Sequence, residues 1–467
     1  MRVLATVLCA LQVALALPET YMDALQLARR WGYPCEAHTA VTEDGYLLTL
    51  HRVPRGREAG TGTAAAPAAP GPPVLLQHGL LAASDLWLLL PPGKSLAFML
   101  ADRGYDVWLG NVRGNAYGRR HLNMSASAPA FWDFSFHEHG LLDLAAMVDA
   151  VLAASGHERL HFVGHSMGTS MFFALASLRP RYGSKVRLAV HLAPAVFLGH
   201  IRIFGARQLL PHRDAVSTLL DRLGVREFVR RSPLVARIAE EMCSDGSRLK
   251  GLCIALFVLT FGDDMQHINK TALPSYLSHV LAGGSKKTIL HFAQAAATGR
   301  FQMFDHGPAG NRRKYGSEQP PEYPLQQVTT PCSLHYGAGD LLIAPAVSPV
   351  TQPSGWSQRA FIYTNIIIKL KSLFVCLNAL ISPFWRASEA ARQSAQSESR
   401  RRETVDDSGS RREWSLSQDV LQLAARLPHA VGTAEAARPK FNHIDFLLSL
   451  DADKLVYEPV LAAMARF

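Results

Sequence analysis

The sequence predicts an α/β fold, a mainly parallel central sheet with helices on both faces and a helical cap. Three observations carry that expectation. Short apolar segments suited to buried strands alternate with helix-forming stretches between residues 73 and 192, the rhythm of strand-helix-strand crossovers. One of these strands opens the stretch Leu160 to Ser170, L-H-F-V-G-H-S-M-G-T-S, and runs through a glycine-bracketed serine straight into helix formers. From about Phe197 to Phe304 the pattern is helical with no strand alternation, which is what a cap inserted between sheet strands looks like.

The elements follow in order. Residues 17 to 55 predict a short helix around Tyr21 to Trp31 and then a hairpin, Glu36 to Val41 and Tyr46 to Val53, turned at Glu43-Asp44-Gly45 by an Asp-Gly pair. Gly56 to Pro73 is rich in Ala, Pro and Gly and is expected to be a solvated loop. Pro73 to Gln77 is an apolar strand that enters His78-Gly79-Leu80-Leu81. A helix near Ser95 to Arg103, a strand at Tyr105 to Leu109, the loop Gly110-Asn111-Val112-Arg113-Gly114-Asn115 and a helical stretch from Asp133 to Ala154 come next. Leu160 to Val163 is the strand before the serine, Ser170 to Leu178 the helix after it, and Arg187 to Leu192 the next strand. Cap helices are expected at Arg226 to Glu241, Leu252 to Phe261, Leu273 to Leu281 and Lys287 to Thr298. Strands resume with Cys332 to Tyr336, ending in Gly337-Ala338-Gly339-Asp340.

Composition bounds the function. With 467 residues, 48% of them apolar and 18% charged, the chain builds a large core and is not a disordered protein. Its net charge of +10 is scattered, without the aromatic-interleaved basic patch of a nucleic-acid binder. Met1-Arg2, an apolar run to Val13 and Ala14-Leu15-Ala16 have the form of a cleaved secretory signal, too short for a membrane span. The sequons at Asn123 and Asn269 fit that route as glycosylation candidates. Removing the signal takes Cys9 and leaves Cys35, Cys243, Cys253, Cys332 and Cys376, an odd number; of these, Cys243 and Cys253 lie close enough to close a short loop.

The serine motif is weak as a pattern alone, since G-x-S-x-G arises by chance in roughly one chain of this length in six. Its context gives it weight. A strand, a sharp turn and a helix would lift the Ser166 hydroxyl to the edge of a sheet, with Gly164 and Gly168 where a strained turn has no room for a Cβ. The turn after Pro73 to Gln77 would aim the backbone N–H of Leu80 at the same point, as a second oxyanion donor beside that of Met167.

Many further landmarks occur together. H-G-L-L at His78, G-Y-D-V-W-L-G-N-V-R-G-N at Gly104, F-W-D-F-S-F at Phe131, G-H-S-M-G at Gly164 and L-A-P-A at Leu192 stand in the first half. F-Q-M-F-D-H-G at Phe301, N-R-R-K-Y-G at Asn311, P-P-E-Y at Pro320, G-A-G-D-L-L at Gly337 and N-H-I-D-F at Asn442 follow. In content and order these resemble the acid lipases of the α/β-hydrolase fold, the family of gastric and lysosomal lipase. The resemblance implies Ser166 as nucleophile, Asp340 as triad acid, His443 as base, and an oxyanion hole at Leu80 and Met167. It also implies a Cys243–Cys253 disulfide, no cofactor and no metal, and a lipid ester substrate such as an acylglycerol or a cholesteryl ester. The destination it implies is secreted or lysosomal. Two small departures are Met167 where the family usually has Gln and Leu142-Asp143-Leu144-Ala145 without an often-present proline. The alternative is a catalytically silent lipid-binding protein on the same scaffold.

A larger departure separates Asp340 from His443 by 103 positions where the family has about thirty. Removing Val347 to Gln418, a block of 72 residues, restores a spacing of 31 and joins Leu341-Leu342-Ile343-Ala344-Pro345-Ala346 to Asp419-Val420-Leu421 without a seam. Val347-Ser348 can be encoded by GTGAGT and Gln418 by a closing CAG, the usual ends of an intron. Nine of the eleven residues Phe361 to Lys371 also have A/T-rich codons, so we read the block as an intron translated in frame. A membrane-binding loop is the competing reading; Lys369 and Lys371 near the middle of Ala360 to Trp385 oppose a span, at ~2.5 to 3.5 kcal/mol each. The expected organisation is a signal (1–16), a first core part (17–196), a cap or lid (197–304), a second core part (305–346), the insertion (347–418) and a C-terminal core part (419–467).

Overall fold

The computed structural model describes residues 18–57, 71–202, 210–342 and 418–467. The expected signal, most of the Ala- and Pro-rich loop, Cys376 and nearly all of the 347–418 block lie outside the described residues.

Eight strands build the main sheet: β1 (Glu36–Val41), β2 (Tyr46–Val53), β3 (Pro73–Gln77), β4 (Asp106–Gly110), β5 (Leu160–His165), β6 (Val186–Leu192), β7 (Cys332–Tyr336) and β8 (Ala430–Glu435). They lie in the order β1-β2-β4-β3-β5-β6-β7-β8, and the two-residue strand Arg120–His121 pairs on β2. The pairs β1/β2 and β2/β4 are antiparallel and every later pair is parallel. The strands β3, β4, β5 and β7 are buried at every position, which fits a parallel sheet covered by flanking helices and explains why they are mostly apolar without an in-out alternation.

Local chemistry sets the helix ends. Asp23 caps Ala24–Arg30 through a capping box with Gln26, so the helix starts three residues later than its apolar pattern. The stretch from Asp133 is broken rather than continuous. It begins at Phe136 under a Ser135/Glu138 capping box, passes through a π-turn at His139–Leu144 and continues as Ala145–Ser155. Gly140 sits in that turn, where a Cβ would come within 2.6 Å of the Met171 carbonyl.

The region expected to be all-helical contains Arg213–Arg222, Pro233–Cys243, Lys250–Phe261, Leu273–Val280 and Lys286–Thr298. It also contains a small ribbon, Glu227–Phe228 paired antiparallel with Gly284–Ser285, which corrects the expectation of no strands there. The same ribbon corrects the helix expected from Arg226. That helix cannot begin before Pro233, which occupies its first turn behind the Ser232 cap. Cys243 and Cys253 form a disulfide with Cα atoms 5.5 Å apart, while Cys35 and Cys332 are buried thiols. Among the described residues no helix is long and apolar enough to cross a membrane.

Candidate active site

Strand register places the site. Gln77 pairs with Gly164, His165 with Leu192 and Leu192 with His335, so β3, β5, β6 and β7 end side by side. His78 to Leu81, Ser166 and Gly337 to Asp340 all follow these ends, at the carboxyl edge of a parallel sheet where the fold opens a crevice.

Ser166 stands between β5 and the helix Met167–Leu178 with φ 54° and ψ −120°, a conformation that L residues rarely adopt and that costs of order 1–3 kcal/mol. The surroundings hold it there. The Ser166 N–H donates to the Leu192 carbonyl at 3.0 Å, and the Thr169 hydroxyl donates to the Ser166 carbonyl at 2.6 Å while accepting from the Ala195 N–H at 2.9 Å. A Cβ on Gly164 would stand 2.9 Å from the Gly168 carbonyl carbon, and one on Gly168 would stand 2.6 Å from the Gln77 carbonyl oxygen. Both are too close for any side chain, so the elbow requires glycine on each side of the serine. The helix that begins at Met167 points its positive end at this turn.

Leu80 and Leu81 lie in the loop after β3, and Leu81 has φ 58°. Its carbonyl accepts from the Ala282 N–H at 2.6 Å, a tie between this loop and the segment leading into the ribbon.

Asp340 and His443 meet despite their separation: Asp340 Oδ2 lies 2.8 Å from His443 Nδ1, and both residues are buried. The other Asp340 carboxylate oxygen accepts from the Leu342 N–H at 2.8 Å. Glycines make the approach possible, since a Cβ on Gly337 or Gly339 would collide with the carbonyls of Phe441 or Lys440, in the segment that carries His443.

Two groups not assigned from the sequence support this segment. His165 donates from Nε2 to the His443 carbonyl at 2.9 Å; its full burial pushes the imidazole down to about 3, so it stays neutral. Only its place inside the serine motif pointed to it. Arg438 lies against Asp264, Asp445 and Asp451, binding the His443 segment to the end of the helix Lys250–Phe261. Nothing in the sequence pairs residues so far apart.

Ser166 and His443 line one cavity of about 560 Å³, together with Gly79 and Leu80. Its walls are otherwise almost wholly apolar, including Leu198, Ile201, Phe261, Ile289, Phe292 and Leu447. That volume lies within the range of sites that enclose a small molecule. The candidate glycosylation residues Asn123 and Asn269 are both exposed. Among the described residues no cluster of metal-binding side chains occurs.

Comparison with known proteins gives two family-model matches, a partial alpha/beta-hydrolase lipase region over residues 24–90 and the alpha/beta hydrolase fold over residues 72–215. The chain is 37% identical to gastric triacylglycerol lipase of Homo sapiens over 330 residues, covering 70% of this chain and 80% of that one. It is 37% identical to lipase member K of Mus musculus, covering 71% and 81%. Against lipase lipl-1 of Caenorhabditis elegans the identity is 36%, covering 70% and 80%.

Proposed function

The chain belongs to the acid lipase family of α/β-hydrolases and is a carboxylic ester hydrolase, and from that premise we propose that Ser166, His443 and Asp340 are its catalytic triad, acting on lipid esters. The observation that carries the proposal is the 2.8 Å contact between His443 and Asp340 at an apolar cavity that Ser166 also lines.

In this reading the Asp340 carboxylate accepts the His443 Nδ1–H, which leaves Nε2 bare to take a proton. His443 removes the Ser166 hydroxyl proton as Oγ attacks the ester carbonyl. The backbone N–H groups of Leu80 and Met167 receive the charge that develops on the carbonyl oxygen, and one such donor typically contributes ~2.7 to 4 kcal/mol. His443 then returns the proton to the departing alcohol. Water, activated by the same imidazole, releases the fatty acid from Ser166. The apolar cavity supports an acyl chain as the substrate's main anchor, with acylglycerols first and cholesteryl esters second.

The region 197–304 would act as a cap that shields this groove until it meets a lipid surface. Supporting that role, Leu219, Leu223, Leu234, Ile238, Leu249 and Leu256 are large apolar side chains left exposed within it. A secreted or lysosomal location suits the Cys243–Cys253 disulfide, and one relative's name, gastric triacylglycerol lipase, suits secretion.

Labelling by an organophosphate ester tests the nucleophile. The wild-type chain should be labelled and lose lipid ester hydrolysis, and Ser166→Ala should take no label while remaining folded. Unlabelled, folded wild-type protein would favour the silent lipid carrier.

A further inference from the structure

The loop Gly110 to Asn115, conspicuous in the sequence, takes no part in the triad, yet it ends against the turn that follows β3. Asn115 Nδ2 lies 3.1 Å from His78 Nε2, and His78 Nδ1 lies 2.8 Å from the carbonyl oxygen of Gly79. His78, Asn111 and Asn115 are all buried.

The contacts fix donor and acceptor at each link of this chain, the two N–H bonds of Asn115 Nδ2 being shared among His78 Nε2, Asn111 Oδ1 and the Ala82 carbonyl at 3.3 Å. The backbone N–H of Tyr117 can only donate, and it reaches Asn115 Oδ1 at 2.9 Å. The opposite end of that amide, Nδ2, is therefore the end that faces His78, and it too only donates. His78 Nε2 must accept. A neutral His78 then carries its proton on Nδ1 and donates it to the Gly79 carbonyl. Burial keeps the ring neutral, pushing it down to about 4. On the far side Asn115 Nδ2 also donates to Asn111 Oδ1 at 2.9 Å, and Asn111 Nδ2 donates to the Thr49 carbonyl at 2.9 Å, which roots the chain in β2.

We propose that His78 is a positioning residue for the oxyanion hole: locked in its Nδ1–H tautomer by Asn115, it grips the Gly79 carbonyl and so aims the Leu80 N–H at the developing oxyanion. Peptide planarity makes the connection. The Gly79 C=O and the Leu80 N–H belong to one trans peptide and point in opposite directions, so a donor that fixes one fixes the other. The peptide borders the nucleophile, since a Cβ on Gly79 would stand 2.9 Å from Ser166 Cβ and 3.3 Å from its Oγ. In a preorganised hole the donor's direction is held before the charge appears, and this buried chain supplies that rigidity.

The proposal rests on Ser166 being the nucleophile, and the experiment separates the two. Hydrolysis of a soluble short-chain ester is compared in wild type, Ser166→Ala, His78→Leu and His78→Asn. Asn places an amide N–H near the Nδ1 position and keeps the donor, whereas Leu removes it. Expected is a kcat about 10- to 100-fold lower for His78→Leu with KM within about threefold, and recovery by His78→Asn to within about fivefold of wild type. Affinity for a boronic acid mimic of the tetrahedral state should fall with kcat. In wild type, 15N NMR should find the His78 proton on Nδ1. If His78→Leu does not fold, Asn115→Ala removes the lock from outside the turn and should lower kcat about tenfold. Hydrolysis that survives Ser166→Ala overturns both readings. Ser166-dependent hydrolysis overturns the His78 proposal alone if the proton sits on Nε2, or if a folded His78→Leu or Asn115→Ala keeps kcat within threefold of wild type.

Discussion

Replacing Asp445 with Asn tests the electrostatics that hold the His443 segment. Arg438 Nε lies 2.5 Å from Asp264 Oδ2, its Nη2 lies 3.0 Å from Asp445 Oδ2, and its Nη1 pairs with Asp451. The Asp264 and Asp445 side chains are fully buried, and Oδ1 of each has no hydrogen-bond partner among the described residues. His267, 3.3 Å from Asp451, adds positive charge only when protonated. One guanidinium faces three carboxyl groups, two of them fully buried and the third, Asp451, partly exposed. Burial first, and Asp264 after it, raise Asp445 to about 7 against the opposing pull of the Asn442 N–H and Arg438. A carboxyl raised on folding binds its proton more tightly in the folded state. Its stabilising contribution is therefore complete below about 4, its unfolded value, and is lost as pH climbs through about 7. Three pH units set a ceiling of about 4 kcal/mol, and relaxation and water entry around the ionised carboxyl bring the expectation to about 2 kcal/mol. The Asn variant cannot ionise. Between pH 4.5 and 7 the wild-type Tm should therefore drop relative to that of Asp445→Asn by a few degrees, and amide protection factors in residues 442–448, taken relative to the intrinsic exchange rate at each pH, should fall in the wild type alone. Parallel Tm profiles over that window would refute the reasoning.

Two further outcomes are expected. Leu223 and Leu234, in the region 197–304 proposed as a cap, are 68% and 65% exposed, and changing both to Asp should lower hydrolysis of an emulsified long-chain ester about tenfold or more while leaving a soluble ester within about twofold. Equal losses on both substrates would show that these leucines do not face the lipid. Deleting residues 347–418, which joins Ala346 to Asp419, should leave a folded enzyme at least as active as the full chain on a lipid ester. An inactive but folded deletion variant would make the block part of the working protein.

How much of this was legible follows from the range of the forces involved. The hairpin Glu36–Val53 and the strands Pro73–Gln77 and Cys332–Tyr336 have the same bounds in sequence and structure, because apolar runs bounded by turn residues are local signals. The strand Ala430–Glu435 was not foreseen. Every one of its residues is exposed, and only backbone pairing to β7 makes it a strand. The ribbon Glu227–Phe228 with Gly284–Ser285 is equally silent in sequence, since Glu227 and Ser285 find each other only in the fold.

The candidate site divides along the same line. Ser166 announces itself through Gly164 and Gly168, whose missing side chains are a local necessity of the turn. Asp340 and His443 carry no local sign of their pairing, and a separation of 103 positions argues against it by spacing alone. What brings them together is the fit of Gly337 and Gly339 against the carbonyls of Phe441 and Lys440, with His165 and Arg438 holding the segment from other directions. Chain length between the two loops is then almost immaterial, because loop-closure cost grows only with the logarithm of length, about 0.6 kcal/mol per doubling. A contact fixed by two glycines and a buried ion cluster tolerates an insertion between its halves. The same insertion inside the serine turn, where a single Cβ already fails to fit, would abolish it.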